Sequence, residues 1–299
     1  MSDDMIRQNA AGSVELHSIA DRAEIAPGVM MPRLGIGTSH VVEGNEVESE
    51  ILGGFQLGYR LIDTASSYHN EEVIGAALER SDVPREDFFI TTKVWPTDQG
   101  YEPTLQAFEA SRTRLGLEYI DLYLVHWPRA ALMAETWRAF ESLKSDGAVR
   151  AIGVSNFEAH DLKRLLESAT VGPAVNQIEF HPHLQRPDLV AYCRTHGITV
   201  EAWSPLKRGQ VGSIAELVDV GRRHGKSAAQ VTIRWILQKG IIAIPKSMHD
   251  YRLRENADVF DFELTAEEMS EIDALDRDEH RPLMRASQED VRAHDERRP

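Results

Sequence analysis

A chain of 299 residues that is 42% hydrophobic and 27% charged has enough apolar material for one large buried core. Its 48 acidic side chains outnumber 33 basic ones, and the formal charge of -15 sets up an average field that repels nucleic-acid backbones and anionic membranes. No run approaches the ~20 apolar residues of a membrane-spanning helix. The opening Met1-Ser-Asp-Asp lacks the basic and apolar regions of a secretory signal, and the single cysteine, Cys193, excludes an internal disulfide. A cytoplasmic protein is expected, monomeric and without a nucleic-acid or membrane partner.

In chain order, residues 1–24 read as a flexible leader, 25–280 as one folded domain and 281–299 as a charged tail. Gly28 and Pro32 punctuate a short hairpin candidate ahead of the first repeat. Short β-branched runs then recur at 34–37, 60–63, 89–93, 120–126, 151–155, 174–179, 198–203 and 241–244. Between and after them lie stretches of helical period at 47–57, 72–79, 104–115, 134–145, 159–168, 188–196, 227–239 and 252–259. Ser227 with Gln230 fits a capping box, and two further helices are expected outside the repeat, at 214–224 and 265–276.

Eight strands, each followed by a helix with no gap for a second domain, predict an α/β fold closed as a single (β/α)8 TIM barrel, with an N-terminal hairpin and extra helices. The common nucleotide-binding fingerprints fail. Gly35-Ile36-Gly37 lacks the third glycine of GxGxxG, and Gly225-Lys226-Ser227 has Val220 where a P-loop needs its first glycine.

In such a barrel the C-terminal strand ends converge on one face, so what closes each strand matters. Here the apolar runs end in Asp63, Lys93, His126, Ser155 with Asn156, Gln177 and Glu179, and Trp203 with Ser204, while Lys246 and Ser247 follow the eighth. Tyr68 lies just past the second strand. A tyrosine hydroxyl, with an ordinary pKa of ~10, works near neutral pH when a nearby cation lowers that value. Lys93 is placed to supply the charge, Asp63 to hold the ammonium, and His126 to bond the reacting oxygen. That set suits a reaction in which hydride reaches a carbonyl carbon and the resulting alkoxide is protonated. Hydrolysis by a serine nucleophile is poorly served, because no GxSxG elbow is present. His181-Pro-His183 near Glu179 lacks the further ligands of a zinc site, and no metal is expected.

Several stretches together resemble the aldo-keto reductase superfamily, most closely its bacterial 2,5-diketo-gluconate reductase group. They are Leu61-Ile-Asp-Thr-Ala-Ser-Ser-Tyr68, Thr91-Thr-Lys-Val-Trp95, Asp121-Leu-Tyr-Leu-Val-His-Trp-Pro128, Ile152-Gly-Val-Ser-Asn-Phe157, Val175-Asn-Gln-Ile-Glu179 and Ile244-Pro-Lys-Ser247. The resemblance implies NADPH-dependent reduction of aldehydes or ketones, on small carbonyls, α-keto esters or keto sugars. Asp63, Tyr68, Lys93 and His126 would be the catalytic set, with Tyr68 the proton donor. Ser155, Asn156 and Gln177 would bind the nicotinamide carboxamide and Trp203 would stack on its ring. Ser204, Leu206 and Gln210 would lie near the pyrophosphate. Lys246, Ser247 and Arg252 would take the 2′-phosphate, with Glu255 and Asn256 near the adenine. Gly37 and Thr38 are assigned to the cofactor as well. Ser39, Trp95 and Trp127 would line the substrate pocket, with Ser39 standing where the family commonly has a large aromatic. The same resemblance leaves open alcohol oxidation by this site, and an NADPH-binding sensor or structural subunit with little turnover.

Overall fold

The computed structural model describes residues 15–39, 45–247 and 249–279. The expected tail at 281–299 and most of the expected leader lie outside these residues. The leader is shorter than expected at its described end. Leu16 is buried in the main core, and strand β1 (Arg22–Ala26) begins inside the span assigned to it, because Ala23 and Ile25 alternate inward.

Strand β1 pairs antiparallel with β2 (Val29–Pro32) across a turn in which Gly28 has φ 73°, a conformation that strains any side chain. Ala23, Ile25, Val29 and Met31 pack against Leu61, Phe89 and Val175, the first residues of three barrel strands. The hairpin therefore plugs the N-terminal end of the barrel, leaving the opposite end for chemistry.

Eight parallel strands follow in sequential order: β3 (Gly35–Gly37), β4 (Leu61–Asp63), β5 (Phe89–Val94), β6 (Ile120–Val125), β7 (Val149–Ser155), β8 (Val175–Glu179), β9 (Thr199–Trp203) and β10 (Ile242–Ala243). Parallel bridges from Leu34 to Ala243 and from Gly37 to Lys246 close the ring between β10 and β3. A Cβ on Gly37 would stand 2.8 Å from the Ile244 carbonyl oxygen, so closure at this seam demands glycine.

The helices are α1 (Asn45–Gln56), α2 (Glu71–Glu79), α3 (Tyr101–Leu115), α4 (Met133–Ser145), α5 (Ala159–Leu166), α6 (Pro187–Thr195), α7 (Ala215–His224), α8 (Ala228–Gln238), α9 (Asp250–Ala257) and α10 (Ala266–Asp273). Helices α7 and α10 are the two extras. The Ser227–Gln230 capping box forms at the start of α8, and a second one, Thr265 with Glu268, starts α10.

Strand periodicity sorts the core into two parts. Ile62, Ile90, Tyr123, Val125, Ile152, Val154, Ile178 and Val200 face the helix layer, whereas Leu61, Phe89, Leu122, Leu124, Ala151, Val175 and Ile242 fill the barrel. Counting in twos from the inner set reaches Asp63, Lys93, His126, Ser155, Gln177 and Ile244, and on β9 Glu201 lies between Val200 and Ala202, which both face the helix layer. The polar groups thus share one phase and one end.

Candidate active site

Lys93 is wholly buried at the centre of this end, where its Nζ donates to Asp63 Oδ1 at 2.7 Å and to the Thr64 carbonyl at 2.8 Å. A short 3-10 turn (Ser66–Tyr68) leaves β4 and folds back over the barrel, anchored by the Ser66 hydroxyl donating to the Lys93 carbonyl at 3.0 Å. That return brings the Tyr68 ring to 5.0 Å from Lys93 Nζ and edge-on to His126, with ring centroids 5.6 Å apart. Trp95 meets His126 edge-on at 5.0 Å, and Trp127 lies nearly parallel to it at 6.5 Å. Two half-buried indoles therefore wall the mouth beside Tyr68 and His126.

The electrostatics differ from expectation in one respect. Burial pushes the Tyr68 hydroxyl above its ordinary value of 10, and Lys93, although it pulls the other way, does not overcome this. Lys93 thus moderates the shift instead of reversing it, and Tyr68 keeps its proton at neutral pH. Hydrogen bonds from Lys93 and Ser39 also favour the phenolate, which places Ser39 against the tyrosine hydroxyl. Burial works against the Lys93 ammonium, yet Asp63 and then Tyr68 outweigh it and hold the lysine above its usual range.

Beneath this group Gln177 spends both amide hydrogens on carboxyl groups: Nε2 donates to Asp63 Oδ2 at 2.7 Å and to Glu201 Oε2 at 2.8 Å. Beside it, Asn156, with φ 62°, donates from Nδ2 to the His126 carbonyl and to Ser155 Oγ, while its Oδ1 accepts from the Trp203 indole at 2.9 Å. These polarities leave the Ser155 O–H as a donor and the Asn156 and Gln177 side-chain oxygens as acceptors. That is the complement of a primary carboxamide.

The remaining expected cofactor residues fall on two neighbouring segments. Ser204, with φ 55°, and Leu206 are half-buried and Gln210 is exposed on the turn after β9. Across from them Lys246 follows β10, and its ammonium lies below the usual lysine range because of burial and then the Arg208 charge. Two like charges converging there favour an anion between them. Ser247 accepts from the His249 amide at the entry to α9, on which Arg252 is exposed, Glu255 half-buried and Asn256 buried. Gly37 lies in the closing seam, and Thr38 beside it is fully buried, with its hydroxyl donating to the Asp63 carbonyl at 2.9 Å as a strut beneath the site.

Residues 33–277 match the model of the aldo/keto reductase family. The chain belongs to that family. It is 51% identical to a glyoxal reductase of Bacillus subtilis (strain 168) over 88% of this chain and 95% of that protein. It is 42% identical to methylglyoxal reductase DkgA of Escherichia coli (strain K12), over 85% of this chain and 93% of the relative. Among solved structures, a silkworm aldo-keto reductase complexed with NADPH superposes with a TM-score of 0.82 at 35% identity, covering 88% of this chain and 90% of the other.

In this aldo/keto reductase two positions escaped the sequence reading. Glu201 is fully buried inside the barrel, and its signal was an acid on the inward phase of the apolar run Thr199-Val-Glu-Ala-Trp203. Lys207, with φ 47°, puts Nζ 2.9 Å from His183 Nδ1 and 3.0 Å from Glu279 Oε1, tying the turn after β9 to two other segments. Nothing local in the sequence announces that tie. His183 is the centre of that tie, with Nδ1 facing both Lys207 and Glu279.

Proposed function

We propose that this reductase converts small aldehydes and ketones to alcohols with NADPH, with Tyr68 giving the proton to the carbonyl oxygen. The observation that carries the reading is the chain from the buried Asp63 and Lys93 to the half-buried Tyr68, set against His126 at the open end of the barrel. Bound NADPH supplies the hydride.

The residues divide the remaining work. Ser155, Asn156 and Gln177 offer the donor and acceptors that orient the nicotinamide carboxamide, and Trp203, fixed through Asn156, presents its ring to the nicotinamide. Lys246 and Arg252 take the 2′-phosphate with Ser247, Glu255 and Asn256 alongside, while Ser204, Leu206 and Gln210 border the pyrophosphate. His126 and Tyr68 hold the substrate oxygen between them. As negative charge grows on that oxygen, the Tyr68 O–H bond breaks and its proton moves across, while Lys93 stabilises the phenolate left behind.

Trp95 and Trp127 wall the pocket on two sides while the small Ser39 leaves the third side open, and the names of the two curated relatives point to 2-oxoaldehydes. Glyoxal is the substrate to try first. Reduction predominates over alcohol oxidation where NADPH is kept reduced, and protonated Tyr68 is the form that reduction needs. Among described residues the only large hydrophobics left exposed are Met30 and Tyr251, which supports a monomer. No described helix is long and apolar enough to cross a membrane, and we place the enzyme in the cytoplasm. The test is turnover of glyoxal with NADPH carrying deuterium at C4. Product labelled at carbon supports the reading, and NADPH binding without any labelled alcohol rejects it in favour of a binding protein.

A further inference from the structure

The barrel interior holds a second carboxyl group that the catalytic chain does not need. Glu201 is 0% exposed, accepts one bond from Gln177 at 2.8 Å, and its Oε1 has no hydrogen-bond partner. Asp63, by contrast, is satisfied by Lys93 at 2.7 Å and by Gln177 at 2.7 Å. One cation cannot neutralise two carboxylates in a space this dry. An ionised Glu201 would leave the group with net charge of minus one and one buried oxygen bare. A protonated Glu201 leaves it neutral.

We propose that Glu201 is a positioning residue that holds a proton inside the barrel and acts on Tyr68 through Gln177, Asp63 and Lys93, so that its ionisation weakens proton donation to the substrate at alkaline pH. The proposal rests on the reading of Tyr68 as proton donor.

The division of the proton follows from what faces each carboxyl. The charged groups acting on Glu201 are Asp63 on β4 and Lys93 on β5, while its strand partners Gln177 on β8 and Ile242 on β10 carry no charge. Glu179, one inward position beyond Gln177, faces the His181 ring at 3.6 Å instead. Burial, and then the Asp63 charge, push Glu201 up to about 8, and Gln177 and Lys93 draw it back only in part. Asp63 is pushed up by burial too, but it has the ammonium in direct contact. The proton therefore resides on Glu201, and the Lys93–Asp63 pair stays charged. When Glu201 loses its proton to solvent, an uncompensated negative charge appears below Lys93. The phenolate that Tyr68 must form is then disfavoured, and proton transfer slows.

Glu201→Gln tests this, since an amide copies the shape of the protonated carboxyl and cannot ionise. Two readouts on the full chain separate the outcomes. In glyoxal reduction with NADPH, wild-type kcat should fall about three- to tenfold between about pH 7 and about pH 9.5, whereas E201Q stays flat over that span. A fall of the same size in E201Q overturns the proposal. In the cofactor-free protein, an infrared difference spectrum over the same pH interval should show loss of a protonated-carboxyl stretch in wild type and none in E201Q. A wild type without that band places the proton elsewhere and overturns the proposal independently of turnover. If the band is present but glyoxal is not reduced at all, the coupling to Tyr68 fails together with the functional reading, while the buried proton stands.

Discussion

Lys93 and Asp63 form an ion pair of 2.7 Å in which the lysine side chain is 0% exposed and the aspartate 4%. Such a pair is costly to assemble and more costly to break, because removing one partner leaves a bare charge in a dry site. Lys93→Met should lower unfolding free energy by about 3–5 kcal/mol and abolish measurable reduction. Urea denaturation followed by circular dichroism checks the first effect. A loss within experimental error of zero would mean that water reaches this pair.

Stability should depend on pH through Glu201. Its value of about 8 in the folded chain exceeds the ordinary 4.5, so the folded protein binds the proton more tightly than the unfolded one. The associated stability is complete below the unfolded value and is lost as pH rises toward 8, at about 1.4 kcal/mol per pH unit at most. Wild type should therefore lose thermal stability between about pH 5 and about pH 8 relative to Glu201→Gln. Parallel melting curves for the two proteins across that window would show that Glu201 gives up its proton at its ordinary value.

Cofactor preference should reside in the cations around the turn after β10. Arg252→Ala is expected to raise the Kd for NADPH about 10- to 100-fold, the equivalent of one charge-assisted contact, and to leave that for NADH within about twofold. Fluorescence titration with both dinucleotides decides this. Equal losses for the two would remove Arg252 from the 2′-phosphate and assign it to a shared part of the cofactor.

Closure of the barrel should be sensitive at Gly37, whose added Cβ would meet the Ile244 carbonyl at 2.8 Å. Gly37→Ala is expected to cost about 1–3 kcal/mol through forced separation of β3 and β10. Because Thr38 and Lys246 lie on either side of the same seam, NADPH affinity should drop with it. An unchanged urea midpoint would show that the seam yields without cost.

Much of the barrel was legible because a parallel strand covered on both faces is written as a short apolar run, and because polar residues closing several such runs shared one phase. The boundaries moved where local signals were weak. Strand β10 is only Ile242 and Ala243, although the Ile244 amide still donates to the Ala202 carbonyl and the Pro245 carbonyl accepts from Gly37, because Pro245 has no N–H with which to continue the ladder. The leader lost its last residues to β1 because a run of Arg-Ala-Glu-Ile-Ala says little until its two apolar side chains meet Leu61 and Phe89 across the barrel floor. The site followed the same rule. Asp63, Lys93 and His126 stand at strand ends and could be read there, whereas Tyr68 depends on a tight return turn and was placed by its motif.

What sequence could not convey was competition between effects of opposite sign. The proximity of Lys93 to Tyr68 was foreseeable, but the greater influence of burial on the hydroxyl emerges only once the return turn sets Tyr68 against Lys93 and His126. Glu201 was missed for a related reason. Inside an apolar strand an acid reads as an exception, and its meaning appears only when Gln177, 24 positions away in sequence, is seen to bond it and Asp63 together. Lys207 likewise gains its role from His183 and Glu279, which no spacing connects to it.

The most direct test of the central claim is NADPH consumption with glyoxal by wild type and Tyr68→Phe, each first shown to bind NADPH. The ring of Tyr68 packs against His126 and Lys93 and is retained in phenylalanine, so the fold and cofactor affinity should persist. Loss of the one hydroxyl should lower kcat by about 10²- to 10⁴-fold. A variant that reduces glyoxal as fast as wild type would contradict the account, because the proton would then come from another group.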